Sequence, residues 1–165
     1  MSEKEPAIKT KPATTLKPLQ TPDVPLLTDV RQMIMQGRES VARAIDSGLT
    51  VLYWQIGLRV RQDILKEKRA SYGEEIVSAL GRQLDVEFGR GFSTKSLRHM
   101  IRFADAFPDS EIVSALRRKL TWTHFKSLIY LENPLKRNFY AEMCRIEGWN
   151  TRILDKKIQS MPFSN

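Results

Sequence analysis

A group of basic side chains follows the turn Gly89-Arg90-Gly91-Phe92 and is spaced to lie along one side of a helix. Together with two polar neighbours, its members are Thr94, Lys95, Arg98, His99 and Arg102. Lysine and arginine bind phosphate oxygens, and a threonine hydroxyl near a helix start can donate to one. We therefore predict that Lys95, Arg98 and Arg102, with Thr94, contact duplex DNA. The alternative interpretation is an ordinary amphipathic helix with a solvated basic side.

Two further basic groups lie later in the chain. Arg117, Arg118 and Lys119 end one predicted helix, and Arg152 and Lys156 lie four residues apart on the last one. We predict phosphate contacts for both groups. For the first group, a favourable interaction with the helix dipole is an alternative explanation.

The sequence offers little for catalysis or for holding a cofactor. His99 and His124 are the only histidines and Cys144 is the only cysteine, and their spacing does not match that of zinc ligands. The chain has no glycine-rich nucleotide loop. Asp63 and Glu67 loosely resemble an acidic nuclease site, but no predicted strand would hold them. We expect no catalytic residue, no metal, no cofactor and no small-molecule substrate.

The elements that position the basic helix form a helix-turn-helix pattern over Ile76–Phe107. Ser93 is placed to cap the second helix, and Pro108 ends it. The second helix carries Leu97, Ile101 and Ala104 on one side, which we expect to pack in the core. A winged-helix variant with a short strand near residues 120–122 is the alternative.

Helical spacing also governs the rest of the chain. One apolar stripe runs Leu27, Val30, Ile34, Val41, Ile45, and a second runs Leu52, Ile56, Val60, Ile64. With Ser47-Gly48 between them, the stripes predict a helical hairpin. No segment alternates as a strand would, so the predicted fold class is all-α, a helical bundle. Trp54, Trp122, Trp149 and Cys144 are predicted core residues.

Composition and charge set the domain organisation. Residues 1–25 hold five of the eight prolines and four lysines, which predicts a disordered tail before one domain at 26–165. Residues 89–165 carry fourteen basic and seven acidic residues, whereas residues 26–88 carry nine of each. This one-sided balance favours a polyanionic partner. Neither a signal peptide nor a membrane span is predicted, and the single cysteine favours the cytoplasm.

The chain resembles the N-terminal domain of the YhcG-type family of PD-(D/E)XK nucleases over roughly residues 27–160. The residues that carry the resemblance are Leu52–Gly57, Tyr72-Gly73, Phe88–Ser93, Leu97-Arg98, Phe103, Phe107-Pro108, Leu120–His124, Phe139-Tyr140 and Gly148–Arg152. The resemblance implies a helix-turn-helix or winged-helix-like module that precedes a nuclease domain. The chain ends at Asn165, about where that domain would begin, so no catalytic residue is implied here.

Three functional interpretations follow from the resemblance. The chain is a non-catalytic DNA-binding module of a nuclease system, or a protein-interaction module that dimerises or recruits a nuclease subunit, or a folded remnant. The basic C-terminal half favours the first. Exposure of Trp54, Trp122, Phe139, Tyr140 and Trp149 would favour the second.

Overall fold

The computed structural model of the chain describes residues 24–69 and 71–160, and over these ranges it contains seven α-helices and no strand. The all-α prediction is therefore confirmed, while the predicted tail lies almost entirely outside the described residues. The helices are α1 Val24–Lys66, α2 Tyr72–Phe88, α3 Thr94–Ala106, α4 Ser110–Leu116, α5 Trp122–Leu128, α6 Pro134–Glu147 and α7 Thr151–Ser160.

The predicted hairpin at Ser47-Gly48 is wrong, because α1 is one continuous helix of 43 residues. A glycine inside a helix costs only about 1 kcal/mol relative to alanine. Contacts on both sides of the pair hold the helix together. The Asp46 carboxylate accepts a bond from the Trp122 backbone N–H at 3.2 Å, and Thr50 is fully buried. Packing around the glycine therefore outweighs its local preference for a turn.

The chain divides into two compact units, with the boundary between Ser40 and Val41. In the first unit, every residue from Pro25 to Ser40 is exposed. The apolar stripe that begins at Leu27 therefore does not form core in this unit, contrary to its predicted packing. The second unit, from Val41 onward, contains the hydrophobic core.

The core of the second unit is organised around α3. Leu97, Met100, Phe103 and Ala104 are each 0–1% exposed, so the helix has an almost completely covered inner side. Leu97 and Ala104 were predicted there, whereas Ile101 is only half-buried. Met100 and Phe103 take the central positions, because packing from several neighbouring elements covers a wider arc of α3 than a single stripe.

Two glycines allow α1 and α2 to pack directly on the α3 backbone. A methyl group at Gly57 of α1 would lie 1.9 Å from the Met100 carbonyl oxygen, and one at Gly81 of α2 would lie 2.1 Å from the Thr94 hydroxyl. These distances are far shorter than van der Waals contact, so neither position accepts a side chain without moving a helix.

Hydrogen bonds from polar groups stabilise the ends of α3 and the start of α5. Ser93 caps α3 by accepting from the Ser96 N–H, as predicted, and the Trp54 indole N–H donates to the Phe107 carbonyl at 2.7 Å. No wing forms at residues 120–122. Instead, Thr121 and His124 form a reciprocal capping box that starts α5. Burial raises the pKa of Cys144 to about 11, as suits a core thiol.

The close approach at Gly57 predicts a large cost for a very small substitution. We expect Gly57→Ala to lower the free energy of unfolding by about 2 kcal/mol, because overpacking outweighs the better helix propensity of alanine. Gly48→Ala is the matched control, since an added methyl group there meets nothing within 4 Å. Urea unfolding followed by circular dichroism compares the two. Equal or greater stability of Gly57→Ala would contradict the described packing.

Candidate nucleic-acid interface

The predicted helix-turn-helix segment has the expected order of elements. α2 ends at Phe88, a single 3₁₀ turn covers Arg90–Phe92, and α3 begins at Thr94. Gly89 has a φ of 95°, a backbone conformation that favours glycine. The two helices and the turn follow in the predicted order, while a helix-turn-helix motif and a DNA-binding role both stay predictions.

Lys95 and Thr94, at the start of α3, have different surroundings. Lys95 is exposed and has no ion-pair partner within the described part of the chain. Thr94 is half-buried, and its hydroxyl lies close to Gly81 of α2. Of the two predicted phosphate contacts, Lys95 is thus open to a ligand, while the Thr94 side chain is turned toward the neighbouring helix.

Arg98 is paired with a carboxylate on α2. Its guanidinium lies 3.1 Å from the Glu74 carboxylate, and both side chains are more than half exposed. The pair therefore lies at the surface. An exposed pair of this kind contributes little, at most about 1 kcal/mol, so a stronger anion can displace it.

Arg102 has a structural setting. Its Nε donates to the Ile129 carbonyl at 2.8 Å, and its guanidinium lies 4.6 Å from the centre of the Tyr130 ring. The arginine thereby ties α3 to the end of α5. The Arg102 side chain, which was predicted to contact phosphate, therefore already makes a structural bond between two elements.

His99 marks the place where positive charge converges from two helices. Burial lowers its pKa first, and the charges of Lys126 on α5 and Lys95 on α3 lower it further. The Tyr130 hydroxyl and the His99 Nδ1 are hydrogen-bonded to each other. Lys126 has no ion-pair partner among the described residues, so Lys95, His99 and Lys126 form a small basic site, here called the His99 site.

Lys126 did not stand out in the sequence, and no local signal would have found it. It lies 31 positions after Lys95, on the short helix α5. The two residues directly before it, His124 and Phe125, are buried. The two lysines act on the same histidine because α5 packs on α3. Only tertiary structure shows their proximity.

A groove of about 590 Å³ lies beside the His99 site, between α1, α2 and α3. It contains Arg61, Arg98 and Arg102, but Arg61 pairs with Asp105 at 2.9 Å and Arg98 pairs with Glu74. Carboxylates therefore offset most of the positive charge in the groove. The unpaired lysines of the His99 site are better placed to attract a polyanion.

The other predicted contacts lie at two separate helix ends. Arg117 donates to the Ser47 hydroxyl at 3.2 Å, whereas Arg118 and Lys119 are exposed. On α7, Arg152 and Lys156 are exposed. Asp155, between them in sequence, accepts a bond from Ser127 of α5 at 2.8 Å. Arg117 is thus partly committed to packing, and the other four cations of these two groups are accessible.

Residues 24–69 and 71–160 lack two further kinds of feature. Among these residues, no three histidine, cysteine or acidic side chains are grouped so that they would hold a metal ion. Within the same ranges, no helix has both the length and the apolar character needed to cross a membrane.

Comparison with known proteins places the chain in a family. Residues 29–165 match the DUF1016 N-terminal domain. The chain belongs to this family. It is also 25% identical to the "Putative nuclease YhcG" of Escherichia coli (strain K12), over 76% of this chain and 42% of that protein. These findings confirm the predicted resemblance, and the chain spans less than half the length of the relative. No solved structure matches the chain.

The pKa of His99 can be used to test whether Lys95 and Lys126 lie close to it. We expect Lys95→Ala/Lys126→Ala to raise the His99 pKa, because the charges of both lysines lower it. The chain has only two histidines, so pH titration of their ring protons by NMR resolves the change. Lys66→Ala/Lys68→Ala removes the same charge elsewhere and should leave the His99 pKa in place. An unchanged pKa in the first variant would show that the lysines do not converge there.

The free energy of unfolding should also depend on pH through the protonation of His99. Between the folded and unfolded pKa values of His99, the unfolded chain binds more protons than the folded one. The contribution of His99 therefore lowers stability as the pH falls below about 6.5, and it levels off once folded His99 is also protonated.

Arg102 and Lys95 should differ in their effect on stability. We expect Arg102→Ala to lower the free energy of unfolding by about 1–2 kcal/mol, because the Ile129 carbonyl loses a charged donor. Lys95→Ala should change stability by less than about 0.5 kcal/mol, as at an ordinary surface position. Urea unfolding measures both. Equal effects would remove the distinction between a structural arginine and a free lysine.

Proposed function

We propose that the chain is a nucleic-acid-binding module of a YhcG-type nuclease system, and that the His99 site is its principal contact with the phosphate backbone. In this proposal the chain places the nuclease on duplex DNA and contributes no catalytic residue itself. The carrying observation is that α5 packs on α3 and brings Lys126 and Lys95 to the two sides of His99, where neither lysine has a carboxylate partner among the described residues. A site that disfavours a positive charge favours a phosphate.

The second unit supplies further support through its free cations. Arg118, Lys119, Arg152 and Lys156 are exposed, and residues 89–165 carry fourteen basic and seven acidic residues, which is most of the chain's net charge of +8. Duplex DNA presents regularly spaced phosphates, which suit several separate cations better than one deep pocket. These residues are proposed as secondary contacts, with Arg98 contributing after it leaves Glu74. Thr94 and Arg102 are assigned to packing instead.

The aromatic residues do not favour the protein-interaction alternative. Trp54 and Tyr140 are buried, and Trp122, Phe139 and Trp149 are half-buried. These are the positions whose exposure would have indicated a protein-binding surface. They pack inside the second unit, so nucleic-acid binding remains the function that this unit supports best.

A salt-dependent titration against duplex DNA tests the proposal. Each phosphate neutralised contributes about −0.9 to the slope of log affinity against log salt. We expect Lys95→Ala/Lys126→Ala to reduce the magnitude of this slope by about two and to lower affinity by roughly tenfold or more at about 0.1 M salt. Fluorescence anisotropy with a labelled duplex measures both quantities.

The control for this titration is again Lys66→Ala/Lys68→Ala, which carries the same net charge as the test variant. If the control loses as much affinity and slope, the effect comes from total charge and the His99 site is not the contact. If the test variant binds like the unaltered chain, the proposal is wrong. A bound phosphate should also raise the His99 pKa, which the NMR titration detects independently.

A further inference from the structure

The groove between α1, α2 and α3 has an apolar floor that the proposed function does not use. Its apolar lining comes from Ile64, Val77 and Ile101, of which Val77 is buried and the two isoleucines are half-buried. These side chains pack against the core around Leu97 and Met100, so the fold holds the floor in place. The groove volume of about 590 Å³ falls within the roughly 300–1,000 Å³ of small-molecule sites. The groove is therefore a preformed surface with room for a flat organic ring.

Four of the five charged groups that line the groove form two ion pairs. Arg61 lies 2.9 Å from Asp105, and Arg98 lies 3.1 Å from Glu74. The pairs leave the groove with little net charge, in contrast to the lysines of the His99 site. They nevertheless offer guanidinium donors and carboxylate acceptors beside an apolar surface. This arrangement suits a ligand that is uncharged, apolar on its faces and able to form hydrogen bonds at its edge.

Tyr130 joins the groove to the His99 site. Its ring lines the groove, and its hydroxyl is hydrogen-bonded to the His99 Nδ1. The guanidinium of Arg102, the fifth charged group, lies 4.6 Å from the centre of the same ring. A ligand that contacts this wall of the groove is therefore separated by one side chain from the place proposed for a phosphate. Groove and phosphate site are close enough to take two parts of one molecule.

We propose that the groove receives an unpaired base of the bound DNA while the His99 site holds a phosphate of the same strand. This inference rests on the proposed function, which supplies the phosphate contact. A nucleobase has apolar faces, which match Ile64 and Ile101, and an edge of donors and acceptors, which matches the two ion pairs. A base inside a duplex is covered by its neighbours and cannot enter, whereas an extrahelical base can. The preferred ligand is thus duplex DNA that contains an unpaired base.

Two other occupants match the groove less well. An apolar side chain of a partner protein would use the floor, but it has no polar edge for the two ion pairs. A phosphate group would meet the carboxylates of Glu74 and Asp105, which repel it. An uncharged ring with a polar edge is the chemistry that uses both the floor and the walls.

Fluorescence anisotropy with two labelled duplexes of the same sequence tests the preference, one of them with a single bulged adenine. We expect the unaltered chain to bind the bulged duplex roughly tenfold more tightly, as contact with one base can contribute. Ile101→Gln should remove this preference and leave the affinity for the perfect duplex nearly unchanged, because it makes the floor polar and keeps the net charge. Ile64→Gln, on a different helix, should behave in the same way. Circular dichroism checks that both variants fold.

Ile146→Gln is the matched control, because Ile146 is an isoleucine on α6 that is 62% exposed and lies outside the groove. This variant should keep the preference for the bulged duplex. With 2-aminopurine in place of the bulged adenine, the position of the base itself is measured. The unaltered chain and Ile146→Gln should shield its fluorescence from acrylamide quenching, whereas Ile101→Gln should not.

The possible outcomes separate this inference from the proposed function. Equal binding of the two duplexes would overturn the groove proposal, and a protein side chain would become the better occupant. The phosphate contact would still stand if Lys95→Ala/Lys126→Ala weakened both complexes. A preference that survives in both groove variants, with 2-aminopurine freely quenched, would show that the chain favours flexible DNA and that the groove holds no base. Binding to neither duplex would show that both proposals are wrong.

Discussion

The second unit depends on how closely α3 is approached by its neighbours. Gly57 of α1 and Gly81 of α2 bring two helix backbones against α3, at Met100 and at Thr94 respectively. With these contacts in place, Leu97, Phe103 and Ala104 are fully enclosed. Helices packed at this distance cannot slide without meeting a carbonyl or a hydroxyl group. The position of α3, and of every side chain on its outer side, is therefore strongly constrained.

That constraint shapes the basic surface. Because α1 and α2 cover one part of α3 and α5 covers another, only a narrow arc remains for Lys95, Arg98 and His99. The same packing brings Lys126 of α5 close enough to affect the protonation of His99. Arg102, at the edge of the arc, bonds to the Ile129 carbonyl. Packing thus separates the predicted basic residues into free, paired and structural ones.

The sequence predicted several helix ends correctly, because residues close to each end determine where it lies. Ser93 caps α3, Pro108 follows its end and Gly148 ends α6 in the left-handed conformation, and each of these effects acts within a few residues. The hairpin at Ser47-Gly48 failed, because the stabilising contacts of that segment come from Trp122, more than seventy positions away. The partners Glu74 for Arg98 and Ile129 for Arg102 were invisible for the same reason. Family membership was predicted from residues spread over the chain.

Glu74 has a kinetic consequence for any polyanion that reaches α3. Its carboxylate holds the Arg98 guanidinium much as a phosphate oxygen would, so an incoming ligand must compete with a tethered anion that never diffuses away. This competition weakens the contact between Arg98 and the bound polyanion, because the Glu74 carboxylate stays close enough to re-form its ion pair with Arg98. The expected result is faster dissociation at this position. In the proposed complex with duplex DNA, the contact at Arg98 would therefore form and break more readily than one from an arginine without a neighbouring carboxylate.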